Sequence, residues 1–198
     1  MKKRAGHFQY NWWKYVAVLL IPLVIWCSVF STLKKPKANE RLHILFLGDG
    51  LNIQELEQEL TAYLQISTTQ TLKSVQVSVA EYGEENYASQ LLAATYSYDI
   101  IIIGEKQMTA TVGQDYFFVL PQELRVADLY EETVDGEVLP FGTVIFDGGQ
   151  KNSFGRFYSG EEKCYAFISP QTANLYPLNT KSGEGDNATV LAYRWLTV

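Results

Sequence analysis

Apolar residues run without a charge from Tyr15 to Leu33 (YVAVLLIPLVIWCSVFSTL); beyond Arg41, short apolar runs alternate with amphipathic stretches. The first run has about 19 residues, close to the roughly 20 with which a helix crosses a hydrocarbon core of about 30 Å. A helix satisfies its own backbone polar groups in lipid, so the run predicts a membrane-spanning helix, and Pro22 near its middle is tolerated there. Tyr10, Trp12, Trp13 and Tyr15 stand at its first edge, as an interfacial aromatic belt does. A cleaved signal peptide is the rival reading, but the run exceeds the usual apolar region of about 7–15 residues. Trp26 puts a bulky indole directly before Cys27, where a lipoprotein site wants a small residue. Cys27 therefore reads as a small apolar residue of the span.

The rest of the chain alternates between periods. Leu42–Leu47 is a nearly continuous apolar run ending in Gly48-Asp49-Gly50, the pattern of a strand buried on both faces before a tight turn. Asn52 and Glu55 form a capping-box-like pair, and Ile53, Leu56, Leu60 and Leu64 then recur at helical spacing. Ser74–Ala80 alternates with period two, and Glu84–Tyr96 predicts a second helix with acids in its first turn. Asp99–Gly104 holds four consecutive isoleucines with no polar face, which predicts a central strand.

The regularity fades after Gly104. Tyr116–Leu120 is an apolar run stopped by Pro121, and Asp135-Gly136 predicts a turn. Val138–Phe141, Thr143–Phe146 and Lys163–Ile168 are the remaining strand candidates. Asp147–Gly160 is rich in Gly, Ser and Asn and reads as an exposed loop. Asp186–Leu196 predicts a last amphipathic helix that buries Val190, Leu191, Trp195 and Leu196, with Asn187 of an Asn-Ala-Thr triplet as its cap. Helices between apolar strands favour an α/β fold with a mostly parallel sheet flanked by helices.

Composition and charge narrow the function classes. The chain has 198 residues with two Cys and two His, too few for a disulfide scaffold and little material for His-dependent catalysis or a metal centre. Basic residues balance across the apolar run: Lys2, Lys3, Arg4 and Lys14 before it, and Lys34, Lys35, Lys37 and Arg41 after it. Counting positive charges therefore leaves the orientation open. Residues 42–198 carry eight basic against 21 acidic side chains, a net of −13. Such a domain repels nucleic acid and anionic lipid surfaces. The expected organisation is a tail over residues 1–14, a span over 15–33 contacting the bilayer, a basic tether over 34–41 and an α/β domain over 42–198.

Several stretches together resemble one lobe of a bacterial extracellular solute-binding protein of the kind that serves ABC transporters. Leu42–Leu64 is similar to that family's opening strand-helix unit, and Ser97–Gly104 looks like its third strand. Val134–Phe141 resembles the segment leading into the hinge, and Tyr165–Pro170 the strand and loop beyond it. Ala188–Leu196 is similar to the closing helix. The resemblance implies a periplasmic-binding-protein-like lobe outside the cell, with the N-terminus cytoplasmic. The second lobe is missing, so half of a ligand site remains, and a membrane span stands in place of a lipid anchor. An ABC permease and a small solute such as a sugar are the partners it implies. A non-transport module docking another envelope protein is the alternative.

In open α/β sheets ligands gather at the carboxyl ends of the strands. That rule singles out Asp49 and Asn52 for hydrogen bonding, Tyr82 for stacking, and Glu105 on the same rim. The competing reading is ordinary turn and capping chemistry. Glu84-Glu85, Glu131-Glu132 and Glu161-Glu162 read as solvated faces, and Cys164 as a buried apolar residue. Ser153, Ser169 and Cys164 lack a neighbouring His, so no nucleophilic constellation is expected, and no cofactor.

Overall fold

In the computed structural model, the described residues are 12, 14, 16–27, 41–67, 74–125, 128–148, 153–172 and 188–198. The chain divides into two compact units, residues 1–36 and 37–198. In the first unit, residues 16–27 form a helix (α1) whose side chains from Val18 to Trp26 are largely exposed. No helix among the described residues is long and apolar enough to cross a membrane. Tyr15 and residues 28–33, the ends of the expected span, lie outside the described residues, as does most of the tether.

The second unit is an α/β domain around one six-stranded sheet. Its strands are β1 (Arg41–Leu47), β2 (Ser74–Ala80), β3 (Ile100–Gly104), β4 (Leu129–Val134), β5 (Glu137–Phe146) and β6 (Cys164–Ile168), in the spatial order β2-β1-β3-β6-β5-β4. Helices α2 (Ile53–Ser67) and α3 (Tyr87–Thr95) connect the three parallel strands, and α4 (Val112–Tyr116) and α5 (Ala188–Thr197) follow later in the chain. Along β1 the side chains divide by parity. Leu42, Ile44 and Phe46 join a core with α2 and α5, while Leu45 and Leu47 join a second core with Leu91 of α3 and Val112 of α4. The isoleucines of β3 divide the same way, so a strand without a polar face results from two buried faces.

The sheet is mixed rather than mostly parallel. β1 pairs in parallel with β2 and β3, but β3–β6, β5–β6 and β4–β5 are antiparallel. The short connection at Asp135-Gly136, whose φ values of 51° and 86° close a tight hairpin, makes β4–β5 antiparallel, since a parallel pair needs a crossover of a dozen or more residues; β6, inserted between β3 and β5 and antiparallel to both, is what makes the sheet mixed. Val138–Phe141 and Thr143–Phe146 are one strand, with Pro140 accommodated where the β4 register shifts between Tyr130 and Glu131. Residues 117–121 take no strand; the Leu120 N–H donates to the Pro140 carbonyl instead (2.7 Å). Glu84–Asn86 is a 3-10 turn before α3.

The last helix buries more small residues than its pattern predicted. Ala188, Thr189, Val190, Ala192, Tyr193 and Leu196 are buried, whereas Leu191 and Trp195 are half-buried. Tyr193 is anchored through its hydroxyl to Thr143 Oγ1 (2.8 Å) and the Ala166 carbonyl (3.2 Å), which ties α5 to β5 and β6. Asn187 lies outside the described residues.

Candidate functional site

The carboxyl ends of β1, β2 and β3 present Gly48–Asn52, Glu81–Tyr82 and Glu105. The expected exposed loop between β5 and β6 does not stand away from this rim. Residues 153–160 fold back onto it, carrying a 3-10 turn at Phe154–Arg156, and bury Phe154, Phe157 and Tyr158 in the α2–α5 core. Asp147 and Gly148 are exposed as expected, and residues 149–152 lie outside the described residues. The aromatic content of Phe154-Gly155-Arg156-Phe157-Tyr158 was the signal available in the sequence, since three large rings within five residues have apolar surface to bury.

Backbone pairing fixes this segment. Leu51 and Tyr158 form an antiparallel bridge, the Asn52 N–H donates to the Phe157 carbonyl (2.8 Å), and the Ser159 N–H and hydroxyl both donate to the Gly50 carbonyl (2.9 Å each). Between Gly50–Asn52 and Arg156–Ser159 lies an open depression of about 510 Å³. Arg156 reaches Glu59 of α2 (2.8 Å) and lies over the Phe157 ring at 5.3 Å. Phe157 in turn stacks on Trp195 with ring centroids 6.0 Å apart.

The four expected site residues separate. Asn52 lines the depression, but its side chain also caps α2, donating to Glu55 Oε2 (2.7 Å) and accepting from the Glu55 N–H (3.4 Å). Asp49 is exposed beside Gly50, and its charge acts on the Tyr158 phenol. Tyr82 belongs to the opposite core, edge-on to Tyr87 at 6.3 Å, and its N–H donates to Gln107. Glu105 is exposed outside the depression, its N–H donating to the Lys163 carbonyl (2.8 Å). Arg156, Phe157, Tyr158 and Ser159 are the lining residues that sequence reasoning missed.

Beneath the rim, burial pushes the Tyr158 phenol well above the ordinary range, helped by Cys164, Glu162 and Asp49. Burial likewise pushes the Cys164 thiol up to about 12; the Tyr158 hydroxyl beside it lowers it, and Glu162 raises it further. A thiol that stays protonated at neutral pH is a poor nucleophile, so Cys164 works as packing. Among the described residues, no three His, Cys, Asp or Glu side chains group closely enough to hold a metal ion.

The acidic pairs are not all solvated. Glu132 is buried, accepting from the N–H groups of Gly113 (2.6 Å) and Gln114 (3.0 Å) and from the Tyr130 hydroxyl (2.8 Å). Glu162 is half-buried, and accepts from the Lys106 N–H (3.1 Å). Glu84, Glu85, Glu131 and Glu161 are exposed as expected.

The architecture is that of an α/β domain with a mixed sheet covered by helices on both faces, carrying an open depression at its carboxyl rim. No family model, curated protein or solved structure matches this chain.

Proposed function

We propose that this protein is a single-pass membrane protein whose acidic α/β lobe lies outside the cell and binds a small polar solute as an accessory component of an ABC transport system. It acts by binding, without catalysis. The observation that carries the reading is the open depression at the carboxyl rim. An amide (Asn52), a hydroxyl (Ser159) and a guanidinium (Arg156) belong to its lining, a set suited to a sugar or a comparable polyhydroxy compound. The resemblance of the strand-helix units to one lobe of a solute-binding protein supports it. An open depression also suits a protein with one lobe, because a ligand is buried on one side only. The uncharged run Tyr15–Leu33 supports anchoring, with the N-terminus cytoplasmic.

A second reading, docking onto another envelope protein, is favoured by the stitching of residues 157–159 to Gly50 and Asn52, which already uses backbone groups of the rim. Calorimetry of the full chain in detergent against sugars and short peptides separates the two. Saturable heat with a sugar, reduced about tenfold in affinity by Arg156→Ala, supports solute binding. Silence across both panels, with a specific crosslinked adduct in intact cells, supports docking instead.

A further inference from the structure

Among the described residues lining the depression, Arg156 carries the one charged side chain, and two contacts fix its position. Its Nη2 donates to Glu59 Oε1 at 2.8 Å, and its guanidinium carbon lies 5.3 Å from the centre of the Phe157 ring. Both contacts lead back to α2. Glu59 belongs to that helix, and Phe157 stacks on Trp195, whose ring lies 6.1 Å from that of Tyr63, one helical turn beyond Glu59. A guanidinium has five N–H donors, and Glu59 Oε1 is the one acceptor it meets among the described residues, so the remaining donors are open to a ligand. The side chains of Arg156 and Glu59 are 58% and 40% exposed. An ion pair so open to water contributes little to stability, so Glu59 matters here for the charge of the site and not for the fold.

We infer that Glu59 is a positioning residue that sets the charge selectivity of the depression: it holds Arg156, neutralises it, and so favours uncharged polyhydroxy solutes over acidic ones. The inference rests on the solute-binding reading and names the substrate class of that site. A guanidinium without a partner is a receptor for carboxylates, because its planar fork matches their two oxygens. Glu59 already sets a carboxylate against that fork. An acidic solute therefore meets an occupied donor and a like charge, whereas a hydroxyl takes the remaining donors without meeting repulsion. Asn52 and Ser159, the other polar side chains of the rim, are uncharged and suit the same ligand. The net −13 of residues 42–198 acts in the same direction, since it repels anions from the whole domain.

Calorimetry of the full chain in detergent, against probes that differ by one carboxylate, tests this: glucose with glucuronate, and galactose with galacturonate. The parent is expected to bind the neutral member of a pair more tightly. Glu59→Gln keeps the length of the side chain and removes its charge. It should shift the ratio of the two affinities toward the acid roughly fivefold, the effect of one unit charge about 4 Å away in water. The shift should shrink as salt is raised, and Glu59→Asp, which keeps the charge, should hold the parent's preference. Shielding of buried Cys164 from a thiol reagent, in a Cys27→Ser chain, reports that each variant is folded. If Glu59→Gln exposes Cys164, Glu59→Ala replaces it with the same expectation. An equal change for both members of a pair makes Glu59 merely structural and overturns the inference. A parent that prefers the acid, or a Glu59→Asp chain that shifts as far as Glu59→Gln, overturns it too. If the parent binds neither member of either pair, the sugar reading of the depression falls, and this inference falls with it.

Discussion

Glu132 shows how much one side chain holds together. Its carboxylate, 8% exposed, serves two backbone N–H groups at the start of α4 and the hydroxyl of Tyr130 on its own strand. The approach is possible because residue 113 is glycine; a Cβ there would lie 2.7 Å from Phe141 and 2.8 Å from the Glu132 carboxylate. Glu132→Ala leaves three donors without their acceptor, and is expected to cost about 3 kcal/mol of stability. Glu132→Gln keeps one acceptor oxygen and is expected to cost about 1 kcal/mol. Urea unfolding followed by circular dichroism checks the ordering, and equal midpoints for the two variants would contradict this account.

At the scale of elements, the α2 start is a closed unit: Asn52 and Glu55 bond reciprocally, and the first helical turn follows with the Leu56 N–H on the Asn52 carbonyl. Asn52 also lines the depression, so its two roles need separating. Asn52→Ala removes the cap and is expected to cost about 1 kcal/mol, while Asn52→Asp and Asn52→Ser, both good caps, should stay within a few tenths of a kcal/mol of the parent. Thermal unfolding of the three variants is the measurement. If Asn52→Ser melts as low as Asn52→Ala, the stabilisation comes from the packing of residue 52 and not from capping. This start was legible beforehand because capping is local in sequence. The hairpin at Asp135-Gly136 was legible for the same reason, but the place of β6 between β3 and β5 was not.

At the scale of the whole molecule, several buried aromatic hydroxyls make the fold alkali-sensitive. Burial raises Tyr87 to about 12 and pushes Tyr130, Tyr158 and Tyr193 further; charge on Glu132 adds to the effect at Tyr130. In the unfolded chain these phenols ionise near pH 10. Above that pH the unfolded state has released protons that the native state keeps, so stability falls as pH rises. The contribution is fully present below about pH 10 and is lost as pH climbs through the native values. The urea midpoint should therefore fall steeply from about pH 10 to 12, with part of the tyrosinate absorbance at 295 nm appearing only on unfolding. A flat midpoint over that range would contradict the burial-driven shifts.

Local pattern was enough to determine β1, β2, β3, β6, α2 and the main extent of α3 and α5, the tight turn at Asp135-Gly136, and the burial of Cys164. Each follows from side-chain periodicity or from a turn that acts within a few residues. Tertiary structure alone decided that β6 lies between β3 and β5 and makes the sheet mixed, that Glu132 is buried, and that Phe154–Ser159 closes onto Gly50–Asn52 to shape the rim. The physical reason is range. Periodicity and capping are short-range properties of the chain, whereas strand order, the pairing of a buried carboxylate and the docking of a loop depend on contacts between residues up to a hundred or so positions apart, as in the bond from Ser159 to Gly50.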